Sequence, residues 1–275
     1  MLIKQGLKST VKSELIFSGI GLHSGEKSEI KILPSDSGNI VFSVDGKFIL
    51  ANAKNVTDTS RGTTLSTNNE KIMTVEHLLS ALYAFGIDSA LIECSSNEIP
   101  AMDGSSSEYI KRLEKVEKCH INKEKYIFAC DNPIFVNQGD SFIICLPSDN
   151  FSIEYYLNYN HAIIGSCNYI FDFSLDEYKS NISDSRTFAL EEEINFLRAN
   201  NLARGGSLDN CIVVYQDHFS VPLRHENELL FHKILDLLGD LSLSTMPLQM
   251  RIISNKSGHK LNTELSKKLI DFMQT

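Results

Sequence analysis

Several features are scarce or missing in this chain, and each scarcity removes a class of protein. No Cys-x-x-Cys pair occurs among the six cysteines at 94, 119, 130, 145, 167 and 211, which argues against a disulfide framework and against a thiolate zinc knuckle. No apolar run approaches the roughly 20 residues of a membrane helix. The N-terminal stretch MLIKQGLKSTVKSELIF has no apolar h-region and no small-residue cleavage site, so a cytoplasmic location is expected. Basic residues are too few to favour a nucleic-acid partner, since the formal charge is −9 and the pI near 5.4, although an anionic small ligand still fits a local cluster of Lys or Arg. Neither HExxH nor HxxEH is present, so the familiar metalloprotease helices are absent. No apolar heptad or exposed hydrophobic run advertises a partner, and a monomer is expected.

What the chain does have is length enough, at 275 residues with 42% hydrophobic content, for one large domain or two of ordinary size. In LLFHKILDLLGDLSL, His232 and Asp236 stand four residues apart, on one face of a helix and within reach of a single ion. A catalytic zinc usually takes three protein groups and keeps a fourth position open. His77, beside Glu76 in MTVEHLLSALYAFG, is the candidate third ligand. A lone histidine in an apolar helix is ordinarily a satisfied core residue. Here, however, Asp236 and Asp240 follow His232 among leucines, and burying three such groups without partners would be costly. Glu76 alone would read as a solvated helix charge.

The sequence also repeats. Residues 29–44, EIKILPSDSGNIVFSV, resemble 142–157, FIICLPSDNFSIEYYL, and both read as hairpins around the same Leu-Pro-Ser-Asp turn. A long apolar helix follows each at a distance, then a strand (LIEC or QMRIIS), a polar Gly-containing turn and an amphipathic helix that a Ser or Asn would cap. The pattern predicts an α+β protein made of two similar α+β domains, 1–120 and 121–275, divided near the charged stretch KVEKCHINKEKY and packed through their long helices. A metal at that interface would follow, because ligand sites favour domain seams. Residues 186–215 have no counterpart in the first half and read as a strand–helix–strand (βαβ) insertion. Its apolar stripe, Leu190, Ile194, Leu197 and Leu202, either packs on the domain body or forms a slot for a long chain.

Taken together, TVEHLLSAL, RTFAL, GGSLDNCIVV, HKILDLLGDL and SGHKLN, in this order, resemble the zinc-dependent UDP-3-O-acyl-N-acetylglucosamine deacetylase family of lipid A biosynthesis. The likeness runs from GIGLHSG at 19–25 through DTSRGTTLS at 58–66 and IPAMDGS at 99–105 to the final helix. It implies a zinc amidohydrolase that removes the acetyl group from a UDP-linked, 3-O-acylated N-acetylglucosamine, on a fold of two α+β layers with an inserted βαβ acyl tunnel. The resemblance assigns the zinc ligands to His77, His232 and Asp236 and the general base to Glu76. It makes His259 the proton donor and oxyanion stabiliser, with Asp240 keeping it protonated, and it gives the hydroxyl of Thr187 a share of the oxyanion. Lys233 would meet the diphosphate or simply reach solvent. Phe188, Leu190, Ile194, Ser207 and Val213 would line the sugar and acyl passage.

His23 and Asp103–Gly104 read as structural, and His120, His161, His218 and His225 have no matching partners in the sequence. Arg61–Gly62, Arg204 and Phe231 depart from the pattern and bear on the shape of the acyl passage, hence on chain length. Two histidines and a carboxylate also describe a non-haem iron site, and ligand type alone does not separate zinc from ferrous iron. Glu76 favours hydrolysis. A lipid-binding module with a structural metal is the other class, but structural zinc normally has four protein ligands and only three are found.

Overall fold

Alternation of apolar and polar residues sets the strands, and two nearly all-apolar segments set the central helices. In a computed structural model, which describes residues 1–67 and 70–274, the first half contains β1 (Leu2–Val11), β2 (Leu15–Ile20), β3 (Lys27–Leu33), β4 (Ile40–Val44), β5 (Lys47–Leu50), β6 (Val56–Asp58), β7 (Thr64–Thr67), β8 (Glu70–Ile72), α1 (Glu76–Phe85), β9 (Ala90–Cys94) and α2 (Ser107–Leu113). The second half opens with β10 (Lys118–Ala129), β11 (Ile134–Gln138), β12 (Ser141–Leu146), β13 (Ser152–Asn158), β14 (Ser166–Asp172) and the short turn of helix α3 (Leu175–Glu177). It closes with β15 (Phe188–Leu190), α4 (Glu191–Ala199), β16 (Ile212–Val214), α5 (Glu228–Ser242), β17 (Leu248–Gln249), β18 (Arg251–Asn255) and α6 (His259–Gln274). The protein is therefore α+β, as the pattern predicts.

Each half builds a five-stranded sheet of the same order and sense. The first runs β2-β3-β9-β4-β5 and the second β11-β12-β18-β13-β14. In both, the central strand pairs antiparallel with one neighbour (β3 or β12) and parallel with the other (β4 or β13). This overturns the two hairpins. The Leu-Pro-Ser-Asp segments do connect β3 to β4 and β12 to β13, but the strands they join are not partners. The connecting loops, residues 34–39 and 147–151, are long enough to span two strand spacings, roughly 10 Å. The strand that follows each long helix enters the gap. Ile30 and Ile32 of β3 and Ile143 and Cys145 of β12 alternate inward and are fully buried.

The charged stretch at the division between halves is the start of β10, which pairs antiparallel with β1 and parallel with β17. The crossing from one half to the other is thus built into a third sheet.

Helices α1 and α5 pack against each other, and α5 also lies against β13 and β14 of the second large sheet. Nine of the ten residues of α1 and thirteen of the fifteen of α5 are buried, as befits helices that are apolar almost all round. Gly86 ends α1 in the left-handed conformation (φ 77°), and the Ile87 N–H closes back on the Leu82 carbonyl, a Schellman-type stop. Close approach of the pair depends on Gly239, because a Cβ there would stand 2.1 Å from the Glu76 backbone oxygen.

The expected helix caps do other work. Ser106 at the start of α2 donates its hydroxyl to the His77 carbonyl, and Asn262 in the first turn of α6 donates to Asp240. Neither caps its own helix: the Ser106 hydroxyl accepts no N–H of the first turn of α2, and Asn262 Oδ1 has no partner. The insertion has the predicted β–α–β order, with β15 and β16 parallel. Of its apolar stripe, Leu197 is buried, whereas Leu190, Ile194 and Leu202 are half-buried.

Candidate active site

Helices α1 and α5 bring the ionisable residues together because each carries them on the face turned toward the other. His77, His232 and Asp236 converge, with one donor atom from each lying within 4.8 Å of the others. The two imidazole rings meet edge to face with centroids 5.0 Å apart. Asp236 Oδ1 stands 3.6 Å from His77 Nε2 and 3.3 Å from His232 Nε2. That oxygen is buried and has no hydrogen-bond partner, a costly state for a carboxylate unless a cation completes it.

Two features suit the His232 imidazole to binding a cation. Nδ1 of His232 lies 3.0 Å from the Ser185 carbonyl, which can only accept, so Nδ1 carries the proton and Nε2 is left with its lone pair. Burial drives the His232 pKa down to about 3 against the opposing pull of Asp236, keeping the ring neutral. The residues present therefore fit a divalent metal. For Asp236, burial pushes the carboxyl up, but nearby cations, Lys233 and His259 among them, outweigh it and hold it well below the usual range.

A second group adjoins the first. Glu76, Asp236 and His259 also share a cluster, with His259 Nε2 at 3.9 Å from Glu76 Oε1 and 4.0 Å from Asp236 Oδ2. Burial raises the Glu76 pKa, which makes its carboxylate a better base. Thr63 fixes it by donating its backbone N–H to Oε2 at 2.9 Å, and a Cβ on the neighbouring Gly62 would crowd Oε1 at 2.9 Å. His259 opens α6 and holds Asp240 Oδ2 through Nδ1 at 2.9 Å. Burial acts to lower its pKa, yet Asp240, Glu76 and Asp236 together raise it to about 10, so the ring is an imidazolium at neutral pH. Asp240 is itself held by the Thr63 hydroxyl and by Asn262, while its backbone oxygen accepts from Ser266.

The remaining expected residues occupy varied places. Thr187 and Phe188 follow Ser185 on the segment that crosses α5. The Phe188 ring lies edge-on to His232 at 6.4 Å and to Tyr159 at 5.9 Å. Thr187 is fixed by its backbone, through Gly104 and Ile212. Lys233 is directed inward, donating to Asp236 Oδ2 at 2.9 Å and lying 5.2 Å over the Phe188 ring. Leu190 ends β15, Ile194 lies on α4, and Val213 on β16 pairs with Ala189. Ser207 is exposed, and its hydroxyl and N–H are taken by the turn that leads to Asn210.

Thr63, Asn262 and the carbonyl of Ser185 are contributors for which the sequence reading assigned no role at the site. Thr63 and Asn262 lie in the quoted motifs DTSRGTTLS and SGHKLN. A backbone carbonyl leaves no trace in side-chain identity. Of the four histidines set aside as unpartnered, three have polar neighbours: His120 meets Ser9, His225 meets Ser185 and Asp184, and His218 meets Asp217, whereas Nδ1 of His161 is buried without a hydrogen-bond partner. His23 spans the Arg61 carbonyl and the Ala203 N–H, joining the first half to the loop that follows α4 in the insertion. Arg61 reaches α4 through Glu193 at 2.9 Å. A cavity of about 610 Å³ at the far end of the helix pair, among Tyr83, Phe151 and Phe173, contains none of these polar residues.

Residues 8–271 match the sequence model of the family described as UDP-3-O-acyl N-acetylglycosamine deacetylase. Proteins named UDP-3-O-acyl-N-acetylglucosamine deacetylase are similar over almost their full length. That of Syntrophus aciditrophicus is 39% identical over 269 residues, covering 95% of this chain and 85% of that protein. The Helicobacter hepaticus protein is 38% identical over 270 residues (96% and 90%), and that of Helicobacter pylori strain J99 34% over 268 residues (96% and 91%). With both helices of the polar cluster and the inserted β–α–β element inside the matched span, the chain belongs to the UDP-3-O-acyl-N-acetylglucosamine deacetylase family.

Proposed function

We propose that the protein hydrolyses the N-acetyl group of a UDP-linked, 3-O-acylated N-acetylglucosamine, releasing acetate and a free amine as a step of lipid A biosynthesis. Zinc would be held by His77, His232 and Asp236. The observation that carries the metal is the buried, unpartnered Asp236 Oδ1 facing two imidazole nitrogens.

Zinc bound there would polarise the amide carbonyl and acidify the attacking water. Glu76, held by the Thr63 N–H and made more basic by burial, takes the proton of that water as it attacks. The imidazolium of His259 faces the negative charge that builds on the carbonyl oxygen, and the Thr187 hydroxyl shares it. When the C–N bond breaks, the electron pair goes to nitrogen, and His259 Nε2 supplies the proton that makes it an amine. Asp240 steadies the other ring nitrogen throughout. Lys233 keeps donors for a substrate phosphate beyond its bond to Asp236. The half-buried Phe188, Leu190, Ile194 and Val213 suit a sugar and acyl chain, with Ser207 at the outer end. No helix among the described residues is long and apolar enough to cross a membrane; we propose a cytoplasmic monomer acting on a lipid precursor.

The test is acetate release from UDP-3-O-acyl-N-acetylglucosamine by the purified protein, run untreated, after chelation, and after adding back one equivalent of zinc or of ferrous iron. Activity lost on chelation and restored by zinc supports the reading, and restoration by iron alone would replace the metal. Glu76→Ala is expected to retain zinc and lose nearly all turnover, while His232→Ala loses both. Near-normal turnover in Glu76→Ala would remove Glu76 from the role of base.

A further inference from the structure

The carbonyl that orients His232 belongs to Ser185, and the residues on either side of it are tied down by ion pairs. Glu228, fully buried, accepts four donors. Its Oε1 takes the Arg186 Nε at 2.7 Å and the Arg186 N–H at 3.1 Å, while Oε2 takes the Arg186 Nη2 at 3.1 Å and the Arg224 N–H at 2.6 Å. Arg224 in turn donates to the Asp184 carbonyl at 2.6 Å and pairs with Asp103 at 2.9 Å. Residues 184 and 186 are thus each fixed, and the Ser185 carbonyl between them has one place to point. Glu228 and His232 are four residues apart on α5, so the helix that presents the imidazole also anchors the segment that orients it.

Stability alone gives little reason for such a pair. Burying an Arg and a Glu costs about as much as their attraction returns, and apolar residues of similar volume often serve as well. The position supplies the reason.

We propose that Glu228 and Arg186 are positioning residues for the metal site: they clamp the Ser185 carbonyl against Nδ1 of His232, so that Nε2 keeps its lone pair aimed at the cation, and thereby set the site's affinity. The inference rests on the metal reading above. The same clamp governs where Thr187 and Phe188 begin.

The experiment measures the zinc dissociation constant of the full-length protein by competition with a chromophoric chelator, for the wild type, Glu228→Gln and the double variant Arg186→Met/Glu228→Leu. The double variant removes both charges together and keeps the fold where the single change leaves Arg186 buried alone. Ile30→Ala, a core truncation in the first sheet, reports what loss of stability does by itself. Outer partners of ligating histidines typically contribute 10–100-fold in metal affinity. Both clamp variants should therefore bind zinc about 10-fold or more weakly, with an altered absorption spectrum after cobalt substitution, while Ile30→Ala binds as the wild type does. Zinc affinity within twofold of wild type in the folded double variant would overturn the clamp. A wild type that binds no zinc would instead overturn the metal reading, so the two failures are told apart.

Discussion

Gly239 and Thr63 carry the site at the scale of single residues, and neither has a reacting group. A methyl at 239 would lie 2.1 Å from the Glu76 backbone oxygen, so Gly239→Ala must drive α1 and α5 apart. Overpacking of this kind costs about 1–3 kcal/mol. The helices it separates hold His77 on one side and His232 with Asp236 on the other. Zinc affinity should therefore fall along with Tm, which calorimetry and metal competition would show; unchanged affinity would mean the helices relax elsewhere. Thr63→Val deletes a hydroxyl donor to buried Asp240 and spares the N–H that holds Glu76. Losing a hydrogen bond to a charged group costs about 1.5 kcal/mol or more, so kcat should drop roughly tenfold with KM little changed. A steady-state comparison with the wild type decides it. The motif around Thr63 is visible in the sequence, but its partner lies 177 positions away on α5, a pairing that no local pattern encodes.

At the scale of elements, the segment from Ser185 to β16 hangs on Glu228, and its anchor is sensitive to acid. Burial pushes the Glu228 carboxyl up, but Arg186 and the two backbone N–H groups outweigh it and leave it below the usual value of 4.5. A carboxyl whose folded pKa is depressed contributes stability that is complete above its unfolded pKa and disappears as pH falls through the folded one. Hydrogen exchange and limited proteolysis within 186–215 should therefore increase below about pH 4.5, and Glu228→Gln should expose the insertion at neutral pH. Equal protection of the insertion at pH 7 and pH 3.5 would contradict this. The order of the insertion was legible because short apolar runs at its two ends, which form β15 and β16, flank a stretch with apolar residues near helical spacing, which forms α4. The helix caps were not: Ser106 and Asn262 donate to groups at the helix seam, and the side-chain oxygen of neither meets an N–H of its own first turn.

The whole molecule is held together by α1 against α5 and by the shared sheet of β1, β10 and β17. The proposed ligands come from both helices, so a cation that binds only the folded state would stabilise both halves at once. At a free zinc concentration 100 times the dissociation constant, this linkage adds about 2.7 kcal/mol. Chelation should lower Tm by several degrees, and the holoprotein should unfold in one transition by circular dichroism and calorimetry alike. Two transitions, only one of them shifted by zinc, would show that the halves unfold separately.

By itself the sequence determined the α+β class, the two similar halves, the long helices and the place of the insertion, because these follow from local periodicity and from residues close along the chain. It also marked His232 and Asp236, whose four-residue spacing is a property of any helix. Tertiary structure alone decided that the Leu-Pro-Ser-Asp strands part to admit a third. That choice depends on which strand fills a gap two spacings wide, and loop composition is silent about it. It also decided which oxygen of Asp236 is left without a partner, which carbonyl orients His232, and that Lys233 turns toward Asp236. Burial and distance create those properties, and they exist only once α1 and α5 have met.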